Sequence, residues 1–193
     1  MYQKRYVREL EIIALYRSGY KKRFYLREIS KLSKLPLKTS QNILANLEKS
    51  KILKSKVEGK NKYFSLNLDN IQAKSYLLQS EIYNTDLFLE NYPQFKTFLK
   101  SLSTNTPLII FGSFAKFKAD KNSDVDILLI SEKEAKPPFH LLPYKVHEIR
   151  MSEKEFAKGV ETKETFIKEI EENHIMLNSH SYFVNIMWDE YAE

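Results

Sequence analysis

Asp124 and Asp126 stand two residues apart at the head of the apolar run Val125 to Ile130. Side chains alternate along a strand, so both carboxylates fall on one face. Two such groups held side by side repel unless a cation lies between them. Magnesium suits an all-oxygen site of this kind, and it commonly completes its shell with water and substrate phosphates. Upstream, Leu108 to Phe111 form a second short apolar segment that runs into Gly112 and Ser113, and ten residues separate Ser113 from Asp124. Both apolar segments read as buried strands.

Gly112-Ser113, the ten-residue spacing and Asp124-x-Asp126, set in F-G-S-F-A-K and S-D-V-D-I-L-L, resemble the signature of a known family. It is the minimal nucleotidyltransferase branch of the superfamily related to DNA polymerase beta. The resemblance implies an enzyme that moves a nucleoside monophosphate from a nucleoside triphosphate, ATP in the first instance, to a hydroxyl acceptor. Gly112 would let the backbone approach the triphosphate, and Ser113, nearby N–H groups and Lys116 would hold its oxygens. Asp124 and Asp126 would anchor two magnesium ions that stabilise the attacking and leaving oxygens. Relatives imply a partner protein or a small molecule as acceptor.

The family usually adds a third carboxylate from a neighbouring strand. Glu148 is the candidate, as metal ligand or general base, in the alternating segment Tyr144 to Arg150. The register is open: Glu148 either joins the aspartates or faces solvent and pairs with a lysine. His147 falls on the opposite face from Glu148 and is not expected as a second ligand. Where the family often carries a glycine, four residues after the serine, this chain has Phe117.

The elements that must position these residues follow from periodicity. The fold class expected is α/β (α+β): a winged helix-turn-helix over 1–68, a connecting helix over 69–92, and a nucleotidyltransferase fold over 93–193 with a small mixed sheet flanked by helices. Val7, Leu10, Ile13 and Ala14 recur at helical steps toward Gly19, and Leu26, Ile29, Leu32 and Leu35 repeat the pattern up to Pro36. A third helix places Ile43, Leu44 and Leu47 on one face. Strand-like Ile52 to Val57 and Tyr63 to Leu68 then flank a basic turn, Glu58 to Lys62. Three helices followed by a basic hairpin resemble the winged helix-turn-helix superfamily. That resemblance implies DNA contact by Lys38, Thr39, Gln41 and Asn42 at base edges and by Lys60 and Lys62 at phosphates.

In such modules a glycine usually ends the third helix, and Lys51 stands there instead. Asp69 is the expected N-cap of the connecting helix, whose Tyr76, Tyr83, Phe88 and Tyr92 read as packing residues. A homodimer contact is one use of such a helix. Ser152-x-x-Glu155 reads as a capping box, and His174 and His180 as packing or surface residues.

Composition narrows the classes further. The 193 residues contain no Cys, which excludes a disulfide framework, a thiolate zinc site and a cysteine nucleophile and points to a reducing cytosol. No apolar run reaches membrane-spanning length, and the charged start does not resemble a signal peptide. The net charge of +6 is unevenly spread. Residues 1–68 carry 17 Lys and Arg against 5 Asp and Glu, whereas the remainder carries 14 against 20. Polyanion attraction is therefore expected at one end only. A DNA-binding regulator whose second domain senses nucleotide without catalysis is the alternative.

Overall fold

The computed structural model describes residues 2–103, 105–132 and 135–192, the side chains of residues 2–6 excepted. It divides into two compact units, one running up to Ser80 and including the residues from Met187 onward, the other Glu81–Ile186. The architecture is mixed α and β with two small sheets. No helix among the described residues is long and apolar enough to cross a membrane.

In the first unit, α1 (Tyr2–Ile13) continues into a single 3-10 turn whose Tyr16 is fully buried. The Tyr16 hydroxyl donates to the Phe64 carbonyl at 3.0 Å, which satisfies a polar group that burial would otherwise penalise. A three-residue strand, β1 (Arg23–Tyr25), precedes α2 (Leu26–Ser33). Its brevity and leading arginine hide it from a periodicity reading. The helix α3 (Leu37–Lys49) starts after Pro36 and buries Ile43, Leu44 and Leu47, as the spacing predicts. Two strands follow, β2 (Leu53–Glu58) and β3 (Asn61–Leu66), paired from Leu53↔Leu66 to Glu58↔Asn61. The turn is thus Gly59-Lys60 alone, tighter than the expected five residues. Gly59 at φ +60° supplies the left-handed conformation that such two-residue turns require. With β1 added, the antiparallel sheet has the order β1-β3-β2.

Lys51 does adopt the left-handed backbone, φ +58°, that glycine would take without cost. Its carbonyl accepts hydrogen bonds from the side-chain amides of Asn67 and Asn70, each at 2.9 Å. Asn70 is also the residue that starts α4 (Ile71–Asn91), because its Oδ1 accepts from the Gln72 N–H at 3.0 Å. The cap therefore sits one residue beyond the expected Asp69.

The second unit is built on β4 (Leu108–Phe111), β5 (Val125–Ile130), β6 (Val146–Met151) and β7 (Ile175–Met176), in the order β6-β5-β4-β7. β4 pairs antiparallel with β5 and β7, and β5 pairs parallel with β6. One sheet face packs Leu108, Ile110, Val125, Ile127 and Leu129 against Phe88 of α4 and against Phe95 and Phe98 of α5 (Phe95–Lys100). Phe88 lies 4.8 Å from Phe95 and 5.0 Å from Tyr92, ring centre to ring centre, so Phe88 and Tyr92 pack as expected. The other face carries Phe111, Asp126, Leu128 and Ile130, and Phe166 of α8 (Thr165–Glu172) meets Phe111 edge-on at 5.4 Å. Before α8, α7 (Glu153–Glu161) opens with the Ser152–Glu155 capping box in full. After β7, α9 (His180–Tyr191) follows. His174 is buried against the Glu81 carboxylate at 3.1 Å, a long-range pair that local spacing does not reveal.

Replacing Lys51 by glycine removes the left-handed penalty and leaves both asparagine contacts to the backbone carbonyl intact. The Lys51→Gly variant is expected to be more stable by about 1 kcal/mol in equilibrium denaturant unfolding.

Candidate active site

Phe111 ends β4 directly opposite Asp126 of β5, so the chain leaving β4 passes over that carboxylate. Gly112 makes this passage possible. It has φ +68°, and a Cβ placed on it would lie only 2.3 Å from Asp126 Oδ2. Gly112 and Ser113 open the four-residue helix α6 (Gly112–Ala115), which buries Phe114 in the aromatic face of the core. Asp124 precedes β5 and is partly exposed, with its Oδ2 3.0 Å from Lys145 Nζ. The two aspartates thus each have a partner: Lys145 for Asp124, and the His147 imidazole, 3.1 Å away at Nδ1, for Asp126.

His147 is the residue that sequence reasoning missed. In the parallel ladder it pairs with Asp126, while Glu148 pairs with Ile127. Because Ile127 belongs to the aromatic core face, Glu148 is turned away from the aspartates, and its carboxylate lies 2.5 Å from Arg150 instead. Its expected place as a third carboxylate is corrected accordingly, and its salt-bridge partner is an arginine rather than a lysine. The signal was present in the sequence, since His147 and Glu148 are adjacent and a one-residue change of register exchanges them. Only the pairing with β5 decides between the two.

Lys116 ends α6 exposed, 3.7 Å from Glu169 of α8. Phe117 has φ +53°, so the position where the family often carries glycine keeps the left-handed backbone with a large side chain. Its ring stacks on Tyr92 at 6.3 Å and meets Phe88 at 6.4 Å, contacts that offset the backbone strain.

Among the described residues, no three His, Cys, Asp or Glu side chains are gathered as a ready metal-ligand set. The groups present near the start of β5 are two carboxylates, Asp124 paired with Lys145 and Asp126 in contact with an imidazole. They do not supply the three carboxylates of the expected two-ion site.

Residues 93–178 match the nucleotidyltransferase domain family. No curated protein and no solved structure matches the chain. The matched segment holds all four strands of the second sheet together with Gly112, Ser113, Asp124, Asp126 and His147. It begins after α4 and stops before α9.

In the first unit, the remaining predicted residues divide between two places. Lys38, Gln41 and Asn42 are exposed on the first turns of α3 and Thr39 is half-buried there. Gln41, Lys60 and Lys62 line one groove of about 800 Å³ between α3 and the β2–β3 hairpin, together with Arg27 and Glu48. Glu48 went unnoticed in the sequence. It ion-pairs with Lys62 at 2.7 Å and accepts from the Ser55 hydroxyl. The Lys62 hydrogen bond and then that of Ser55 hold its carboxyl below the usual carboxylate range. The hairpin is therefore tied to α3 by a charged contact at the mouth of the groove.

Adding a methyl at Gly112 forces either the turn or the Asp126 carboxylate to move. Gly112→Ala is expected to cost about 1–2 kcal/mol of stability from the left-handed backbone alone. It is also expected to abolish nucleotide binding, measured by calorimetric titration beside thermal unfolding of the same sample.

Proposed function

We propose that the second unit transfers a nucleoside monophosphate from a nucleoside triphosphate, ATP being the first candidate, to a hydroxyl acceptor. The observation that carries this reading is Asp126 held against the Gly112 turn, with Asp124 two residues before it, inside the matched nucleotidyltransferase domain. In the reaction the acceptor oxygen forms a bond to the α-phosphorus and the bond from that phosphorus to the β-phosphate bridge breaks. Pyrophosphate departs, and the acceptor gives up its proton to solvent water. Asp124 and Asp126 would hold a divalent cation, Mg2+ in the first instance, which when bound neutralises charge on the phosphates. Gly112 gives the triphosphate room at the turn, while Ser113 and Lys116 are the groups offered to its oxygens.

For the first unit we infer a winged helix-turn-helix that binds DNA. The support is its three helices, its antiparallel sheet in the order β1-β3-β2, and its excess of Lys and Arg. Lys38, Thr39, Gln41 and Asn42 would meet base edges, and Lys60 and Lys62 the phosphates. For Lys62 a phosphate competes with Glu48, its present partner.

One observation favours a second reading of the nucleotidyltransferase domain. Glu148 faces away from the aspartates, so the site lacks the family's third carboxylate, which suits a regulator that binds nucleotide without transferring it.

Labelled ATP, CTP, GTP and UTP, incubated with Mg2+ and cell extract, separate these readings. Transfer of label that falls by at least about a hundredfold in an Asp124→Asn/Asp126→Asn variant is the expected result. Nucleotide binding without transfer from any of the four establishes the regulator instead. For the first unit, duplex affinity is expected to fall steeply between low and moderate salt. Joint neutralisation of Lys38, Lys60 and Lys62 is expected to flatten that slope by about three charges, read by fluorescence anisotropy. An unchanged slope excludes the assigned phosphate contacts.

A further inference from the structure

We propose that Glu48 is a positioning residue of the DNA-facing surface: it holds Lys62 back against α3, and the β2–β3 hairpin engages a phosphate by exchanging that carboxylate for it. The inference rests on the DNA-binding reading of the first unit and deepens it by naming the contact the hairpin gives up on binding.

Four observations converge on it. Phe64 is buried and Lys62 lies two residues before it in β3, so alternation turns both side chains to one face. Ser55 of β2 pairs with Phe64 and shares that face. Glu48, in the last turn of α3, takes a contact from each strand, the Lys62 ammonium at 2.7 Å and the Ser55 hydroxyl. The same ammonium lies 5.2 Å from the centre of the Phe64 ring, so Lys62 is folded back along the hairpin instead of reaching out from it. Lys60 differs, because it sits exposed in the turn and forms no ion pair among the described residues.

The strength of this clasp suits an exchange. The Lys62 and Glu48 side chains are 45% and 34% exposed, so water screens the pair and parting it costs little. A phosphate offers the ammonium an equally charge-assisted contact and, unlike Glu48, releases a counterion from the duplex. The phosphate therefore wins, at an affinity lowered by what the clasp contributed. The Ser55 hydroxyl remains to partner the Glu48 carboxylate once Lys62 has left.

The full chain is titrated into a fluorescein-labelled duplex of mixed sequence at low salt and followed by anisotropy. Glu48→Gln keeps a side chain that can bond Ser55 but removes the charge, and is expected to tighten binding by about two- to fivefold. The gain is expected to vanish in a Lys62→Gln background and to persist in a Lys60→Gln background, because only Lys62 is held by Glu48. Thermal unfolding checks that every variant folds. An unchanged affinity in Glu48→Gln overturns the inference, as does a gain that survives in the Lys62→Gln background, which marks a plain effect of net charge. A loss of affinity in Glu48→Gln overturns it too, since that is the result for a contact that only braces the hairpin. In each of these cases the DNA-binding reading stands as long as wild type binds the duplex with a steep salt dependence. If neither wild type nor any folded variant binds the duplex, both fall.

Discussion

A single close approach, backbone to carboxylate, governs the second unit. The chain must turn out of β4 immediately above Asp126, and it can do so only through a residue without a side chain in a left-handed conformation. Everything nearby serves that contact. β4 and β5 are buried along almost their whole length, which holds the two strands in fixed register. The short α6 that follows inserts Phe114 among the core aromatics, so the turn is fastened on its far side as well. A carboxylate placed this way cannot swing through the space that Gly112 occupies.

Packing explains why such a turn can persist. Each fully buried Phe or Ile contributes on the order of 1.5–3 kcal/mol, and the face opposite the aspartates buries many of them. Like-charge repulsion between Asp124 and Asp126 is smaller than that sum. Lys145 and His147 reduce it further by giving each carboxylate its own neighbour. The sheet therefore has one face that supplies stability and another that supplies polar groups, and the covering helices α7 and α8 leave the polar end of the second face accessible. Phe117 obeys the same logic, since a strained backbone at the loop is tolerated where its ring stacks on Tyr92.

Features with a local period were legible in the sequence. The apolar spacing of α3, the capping box of α7 and the apolar run of β5 each depend on residues a few positions apart. Features set by contacts distant in sequence were not. β1 exists only because β3 pairs with it, and its three residues carry no pattern of their own. Glu48 meets Lys62 only once the hairpin folds back on α3. The exchange of Glu148 for His147 is of the same kind. Alternation says that adjacent residues face opposite ways but not which way either faces, and in a parallel pair no tight turn fixes the register.

That last property of β6 reaches beyond one residue. A strand joined by a tight hairpin, as β3 is to β2, inherits its alignment from the turn, whereas β6 arrives after a long crossing and is aligned by what it buries, with Val146 packed against the aromatic core. His147 and Glu148 thus stand side by side with opposite facings, an imidazole beside Asp126 and a carboxylate beside Arg150. The parity of a single strand chooses between them. A change of bulk on the hidden side of β6 therefore acts on which of these two groups is presented beside Asp126, while both residues themselves stay the same.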